Sequence, residues 1–330
     1  MVKRFINKEI SPADFEFLVS KATKAPSGHN TQPWCFRQNE SAVEIHPDFD
    51  RRLPVVDPDD RELFVSLGCA AENLCLAAQN IGYESSVAVG DTGVIAVALT
   101  EGVDVKSSPL FEQIDLRQTN RSIYTGEEIA LDALKRLQAI RSEDGVSVHY
   151  YARQTKQFND IGQYVLRGNT HQMQNEAFKA ELKSWMRFNK KHQDQTLDGL
   201  SYAVFGAPNV PRWMAEPIMA MAINAKTQNK ADREKIASAS HLVLFTTREN
   251  SRREWVNLGR TLQRFLLTAT ELGIAHAYLN QPNEEPEIAA EMAKTLDLDG
   301  EYPTVLLRVG YGEQQAYSKR RPIGDVIAAD

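Results

Sequence analysis

The sequence predicts an α+β protein built as two halves of one architecture, and three observations carry that expectation. At 330 residues, the chain is about two domains long, since domains run to roughly 100–200 residues each. A segment then repeats without a gap: Leu67 to Gly82 lies over Leu258 to Gly273, with identities at Leu67/Leu258, Gly68/Gly259, Leu76/Leu267, Ala78/Ala269 and Gly82/Gly273. Finally, the helices and strands flanking the two copies come in the same order. Duplication accounts for all three, with the repeated long helices packed against each other.

Ser11-Pro12-Ala13-Asp14 is a helix start, with a hydroxyl cap, proline at the first helical position and a carboxylate three residues after the cap. Phe15, Leu18, Val19 and Ala22 follow at helical spacing, and Pro26 closes the segment ahead of a polar loop, Ser27 to Pro33. Trp34 to Arg37 and Val43 to His46 read as strands joined by a turn at Asn39 to Ser41. A long helix follows with Leu63, Leu67, Ala71, Leu74, Ala78 and Ile81 on one face, then strands at Ser85 to Val89 and Val94 to Leu99. In the second half, Thr125-Gly126-Glu127-Glu128 reads as a capping box opening a helix with Leu131, Leu134 and Leu137 inward, followed by a strand around Val146 to Tyr151. Leu242 to Thr246 and Thr304 to Val309 are strands on either side of a long helix, Glu254 to Leu272. The expected division is 1–110 for the first half and 111–330 for the second, with a polar, helical insert at about 152–240 that has no first-half counterpart.

Composition removes several classes of function. Lys and Arg number 38 against 44 Asp and Glu, a formal charge of −6, whereas binding to nucleic acid or an anionic membrane needs a basic face. No run approaches the roughly 18 apolar residues of a transmembrane helix, and no secretory signal is visible. The three cysteines, Cys35, Cys69 and Cys75, form no disulfide framework, so a reducing cytoplasm is expected. The P-loop, dinucleotide-fold, zincin and nucleophile-elbow motifs are missing. The seven histidines lack ligand spacing, so no metal site is expected.

Three polar clusters remain. Pro26-Ser27-Gly28-His29-Asn30-Thr31-Gln32-Pro33-Trp34 joins a helix to a strand; its glycine admits close approach of a ligand, its prolines stiffen it, and Ser27 and Asn30 both donate and accept. The alternative is a turn that satisfies its own backbone. Arg117-Gln118-Thr119-Asn120-Arg121 sets two guanidiniums around a hydroxyl, and Ser318-Lys319-Arg320-Arg321-Pro322 adds charge near the C-terminus. Together they suggest a local anion site within an acidic protein.

At these residues the chain resembles the nitroreductase family of FMN-dependent oxidoreductases. The first cluster matches the family's P-S-x-x-N-x-Q-P-W pattern, and Arg117-x-Thr119-x-Arg121 resembles its R-x-S-x-R signature with Thr for Ser. Arg320-Arg321-Pro322 resembles its C-terminal phosphate-binding arginine, and Gly273 to Gln281 its strand and turn against the flavin. Family members are normally homodimers whose flavin sites draw on both subunits. Here each kind of element occurs once, and Lys3-Arg4 does not reproduce the arginine pattern. The resemblance therefore implies a fused pseudo-dimer with one intact site, similar to a tandem branch that includes flavin-sequestering proteins. It implies Arg117, Thr119 and Arg121, with Arg320 or Arg321, at the FMN phosphate. Pro26, Ser27, Gly28 and Asn30, with Gln32 of the same motif, would face the isoalloxazine, and Leu279 and Asn280 would lie near N5. The family's usual acidic and glycine pair in that turn reads Asn280-Gln281 here.

The implied activity passes hydride from NADPH or NADH through flavin N5 to a nitroaromatic, quinone or similar small-molecule acceptor. Such chemistry belongs to the cofactor and requires no catalytic side chain. The alternative is a flavin-storing protein with little turnover, suggested by the stripe Phe178, Leu182, Trp185, Met186 and Phe188 in the insert. That stripe suits a lid over the ring and a core-packing helix equally.

Overall fold

The computed structural model describes residues 10–328; the Lys3-Arg4 comparison and the first nine residues of the proposed first half lie outside them. The chain begins with α1 (Pro12–Ala22), whose Ser11 Oγ accepts from Asp14 N at 3.1 Å. It continues through β1 (Trp34–Asn39), β2 (Ala42–Pro47), α2 (Arg61–Asn80), β3 (Tyr83–Val89) and β4 (Ile95–Glu101). These strands form an antiparallel sheet in the order β1-β2-β4-β3.

The same plan recurs. After α3 (Leu131–Gln138) and β5 (Val146–Ala152), the chain inserts α4 (Lys156–Gln174), α5 (Glu176–Ser184), β6 (Met186–Arg187), α6 (Lys190–Thr196), β7 (Leu200–Ser201), α7 (Arg212–Ala222) and α8 (Ala225–Ser238). It then resumes with β8 (His241–Thr247), α9 (Arg252–Glu271), β9 (Ala275–Tyr278), α10 (Pro286–Thr295) and β10 (Tyr302–Gly310). The second sheet has the order β5-β8-β10-β9. Numbered within its own half, each sheet therefore runs first, second, fourth, third strand, with the long helix between the second and third.

The two long helices cross where the repeat places its paired glycines. A Cβ on Gly68 would lie 2.2 Å from the Val256 carbonyl oxygen, and one on Gly259 would lie 2.1 Å from that of Val65. The contact is self-complementary, as at a two-fold interface. Beyond the crossing, Gln263 Nε2 donates to Asn73 Oδ1 at 2.7 Å and Arg264 pairs with Glu72 at 2.6 Å. Because 72 is equivalent to 263 and 73 to 264, these polar bonds are related by the same pseudo-symmetry. The expectation of one apolar face on α2 was too narrow: Ser66, Glu72 and Asn73 are buried as well, since packing surrounds the helix.

The expected helix start at Thr125 is corrected. Thr125 Oγ1 accepts from Glu127 N at 3.2 Å, closing a local turn, and Gly126 takes a left-handed φ of +78°. The chain then stays extended to Ala130, so α3 begins at Leu131, which is 64% exposed rather than inward. The turn competes with the cap for the same hydroxyl. Helix α10, with Pro286 in its first turn, is an element the periodicity reading passed over.

After β10 the chain returns to the first half. Phe36 N donates to the Val326 carbonyl at 2.7 Å and Ala328 N to that of Phe36 at 2.9 Å, which adds the tail to the edge of the first sheet. This crossing carries Arg320 to the loop that follows α1. Among the described residues, no helix is long and apolar enough to cross a membrane.

Candidate active site between the two halves

A cavity of about 540 Å³ opens where α2, α9, the loop after α1, the tail and the insert meet. Its size falls in the range of small-molecule and cofactor sites. The loop at its edge is strained: His29, Asn30 and Gln32 have φ of 46°, 55° and 54°. Left-handed conformations in non-glycine residues cost free energy and persist where surrounding contacts hold them. Here the holders are visible. Ser27 Oγ accepts from Gln32 N at 3.0 Å, while Asn30 Nδ2 donates to the carbonyls of Gly199 and Lys319, each at 3.2 Å. Gln32 Nε2 donates to the Leu197 carbonyl at 3.0 Å and its Oε1 accepts from Arg321 N at 2.8 Å. The loop is thereby tied to both the insert and the tail.

Pro26, Ser27, Gly28, Asn30, Arg117, Thr119, Arg121, Asn280 and Arg320 line the cavity together. Three of the residues expected there do not. Gln32 is fully buried behind the loop and serves as its fastening. Arg321 turns away, donating to the Asp325 and Gln32 carbonyls. Leu279 packs its side chain in a core cluster with Phe158, Ile161 and Leu306, because neighbouring residues on an extended segment point to opposite faces.

The arginines differ in what they have left to give. Arg320 donates to the carbonyls of Thr23 (2.8 Å) and Ala25 (3.1 Å) and to Asn30 Oδ1 (2.9 Å). Burial, with Arg117 close by, lowers it to about 9. Arg117 is 5% exposed; it donates one bond, to the Lys24 carbonyl at 2.9 Å, and its Nε is buried without a partner. Arg121 donates to no acceptor among the described residues; its guanidinium lies over the Phe205 ring at 5.5 Å, and burial lowers it to about 10. A buried cation such as Arg117, with Arg121 partly buried beside the same cavity, is costly with free donors unless an anion completes it. The end of the cavity that they line therefore suits a phosphate or similar group.

Apolar walls adjoin that end: Val65 and Leu262 from the central helices, and Phe178, Leu182 and Met186 from the insert. A second polar group, including residues given no role from the sequence, comprises His29, Glu62, Gln172, Asn280 and Glu284. They come from four segments, so no local motif could announce them. The one local signal was the carboxylate of Glu62 in the first turn of α2. Cys69 lies in the wall with its thiol donated to the Gly259 carbonyl at 3.2 Å, and burial holds it far above the ordinary thiol range. It is poorly placed to act as a nucleophile.

Burial lowers His29 from 6.5 to about 4 despite the facing Glu62. Its neutral imidazole belongs to the folded state, so its contribution to stability is full above 6.5 and is lost as pH falls toward 4. His29→Asn, which tolerates the left-handed backbone, is expected to narrow the gap between melting temperatures at pH 7.5 and pH 5. An unchanged gap would count against a buried, neutral His29.

The model of the Nitroreductase family matches residues 116–311. The chain belongs to the nitroreductase family. Relatives include two Mycobacterium tuberculosis proteins, from strains H37Rv and CDC 1551, provisionally named NAD(P)H nitroreductases. Each is 26% identical over 336 residues, covering 94% of this chain and 90% of the relative. Similar solved structures include the FMN-dependent nitroreductase NfnB of Mycobacterium smegmatis in complex with NADPH. It shows 12% identity and a TM-score of 0.44 over 66% of this chain and 96% of that one. Iodotyrosine deiodinase bound to FMN and 3-iodo-L-tyrosine shows 14% identity and a TM-score of 0.42, covering 64% and 95% of the two chains. As a nitroreductase-family protein, the chain keeps its match within the second half and insert, while the P-S-x-x-N-x-Q-P-W loop lies in the first half.

Proposed function

We propose that this nitroreductase-family protein binds FMN in the cavity and uses NADPH or NADH to reduce a small nitroaromatic, quinone or similar acceptor. The observation that carries the reading is that Arg117, whose Nε is buried without a partner, and Arg121, which donates no hydrogen bond among the described residues, line the same largely apolar cavity. Arg117 Nε and the Arg121 guanidinium would hold the phosphate, with Thr119 beside them and Arg320 bracing the loop. Pro26, Ser27 and Gly28 would border the ring, and the apolar walls would exclude water from it. Bound FMN supplies two-electron transfer between nicotinamide and acceptor; the protein orients, desolvates and hydrogen-bonds. The shared strand order supports dividing the chain into 1–110 and 111–330, a pseudo-dimer that encloses this one site, with residues 152–240 as its cover.

The expected preparation is yellow, bleaches on adding NADPH or NADH, and oxidises that nucleotide continuously with menadione or a nitrofuran. A colourless protein that binds no added FMN would overturn the assignment. A second reading, flavin storage, draws on Phe178, Leu182, Met186 and Phe205, which come from the insert to line the cavity and leave less room for nicotinamide. A flavin that stays oxidised in the presence of both nucleotides would favour storage; steady turnover would remove it.

A further inference from the structure

We propose that Asp198 of the insert is a positioning residue for the cavity's loop: with Leu197, Gly199 and Arg51 it holds Asn30, Thr31 and Gln32 in the conformation that receives the flavin, so that docking of the insert and binding of the flavin are coupled. The proposal rests on the flavin reading of the cavity set out above.

Insert and loop meet residue for residue, running in opposite chain directions. Gly199 N donates to the Asn30 carbonyl at 3.2 Å, and Asn30 Nδ2 donates back to the Gly199 carbonyl at 3.2 Å. Gln32 Nε2 donates to the Leu197 carbonyl at 3.0 Å. Thr31, between them, is reached through Arg51, which ends a short helical turn after β2 (Phe49–Arg51). Arg51 Nε donates to the Thr31 carbonyl at 2.5 Å while its Nη2 pairs with Asp198 Oδ2. Residues 30, 31 and 32 are thus fastened to 199, 198 and 197. Both segments carry left-handed backbone at this contact, Asn30 and Gln32 on one side, Leu197 (φ 57°) and Gly199 (φ 71°) on the other. Such conformations in non-glycine residues cost free energy and persist where neighbours over-determine them. Each segment supplies the bonds that the other needs.

Asp198 joins the parts. Its Oδ1 accepts from Arg187 Nε at 2.9 Å and Arg187 Nη2 at 2.6 Å, while Oδ2 faces Arg51. Asp198 and Arg187 are both buried, and both guanidiniums lie within 5.6 Å of the Trp185 ring centroid. Arg187 Nη1 also donates to the Ser184 carbonyl at 2.9 Å, which ties the group to the end of α5. Position 199 requires glycine, because a Cβ there would lie 2.4 Å from the Trp185 carbonyl oxygen and 2.7 Å from Arg187 Cζ. None of residues 190–199 lines the cavity, whereas Asn30 does. The influence of this part of the insert on a ligand therefore passes through the loop. A loop that holds its competent shape for only a fraction of the time lowers the apparent affinity by that fraction, and the linkage runs both ways.

The test measures hydrogen exchange by mass spectrometry on the full-length protein, flavin-free and FMN-saturated, with Asp198→Asn and Arg51→Ala variants. Arg51→Ala leaves the Asp198–Arg187 pair in place and serves even if Asp198→Asn does not fold. In wild type, FMN is expected to slow exchange across 190–199. In the flavin-free variants, exchange across 27–33 is expected to rise while α9 keeps its wild-type rate, and saturating FMN should restore the loop. FMN affinity, read by flavin fluorescence, is expected to fall about 10-fold, as for a loop competent about one-tenth of the time. Lys183→Ala, which removes an insert pair with Glu216 at 3.0 Å, should change neither quantity. The proposal is overturned by unchanged exchange across 27–33 in Arg51→Ala, by wild-type FMN affinity in that variant, or by FMN leaving 190–199 unprotected. A wild type that binds no FMN would overturn the flavin reading itself, and the coupling with it, whatever the flavin-free exchange shows.

Discussion

Gly259→Leu is expected to give insoluble protein. The first side-chain atom would lie 2.1 Å from the Val65 carbonyl oxygen on the facing helix, and neither backbone can yield without separating α2 from α9. Separation would also loosen the Asn73–Gln263 hydrogen bond and the Glu72–Arg264 pair, leaving buried polar groups without partners. Overpacking typically costs about 1–3 kcal/mol, occasionally more. This contact belongs at the upper end, because it joins the two sheets' supporting helices at the centre of the core. Gly68→Ala and Gly259→Ala are each expected to destabilise by about 3 kcal/mol or more, read as a lowered melting temperature. The double variant should cost less than the sum, since one methyl already parts the helices for the other. Retention of the wild-type melting temperature by either alanine variant would show that the crossing is not this tight.

The second large effect is a separation of binding from stability at Arg121. Its side chain is partly buried, lies near Arg308 and has no hydrogen-bond acceptor among the described residues. Arg121→Ala should therefore leave the flavin-free protein as stable as wild type or more so, because it removes an uncompensated cation. FMN affinity should fall by about 10- to 100-fold, the loss of one charge-assisted bond at roughly 1.5–3 kcal/mol. Titration of flavin fluorescence together with thermal melts of the flavin-free form reads both quantities. Arg320→Ala is expected to behave differently, losing stability as well as flavin, because its side chain clamps the carbonyls of Thr23 and Ala25. Wild-type FMN affinity in Arg121→Ala would overturn the phosphate assignment.

Much of the architecture was legible because it is written in local periodicity. Each first-half strand edge falls within about two residues of its expected place, and the repeat led to the expectation that the two long helices pack together, while their crossing at Gly68 and Gly259 came from the fold. Thr125 misled because a hydroxyl before a helical pattern can cap the helix or close a turn. Its backbone N–H donates to the Tyr311 carbonyl, a contact distant in sequence. In the cavity, Pro26 to Asn30 and Arg117 to Arg121 were legible as motifs. Adjacent motif positions were separated by geometry that no motif states, so Arg320 faces the cavity while Arg321 faces the tail. Glu62, Gln172 and Glu284 were not legible as a group, since nothing links positions 62, 172 and 284 until the chain folds.

By itself, the sequence determined most of the element types, the repeated pattern of the two long helices and the presence of strong positive charge in an acidic chain. These follow from hydrophobic spacing, capping chemistry and composition, which are short-range properties of the polymer. Only the tertiary structure decided that Arg117 and Arg121 are left with free donors while Arg320 is already engaged. It likewise decided that Glu62, Gln172 and Glu284 meet on the wall of the same cavity, and that the insert supplies apolar residues to it. The physical reason is that hydrogen-bond satisfaction and desolvation depend on every neighbour a group meets, and most of those neighbours arrive from distant parts of the chain.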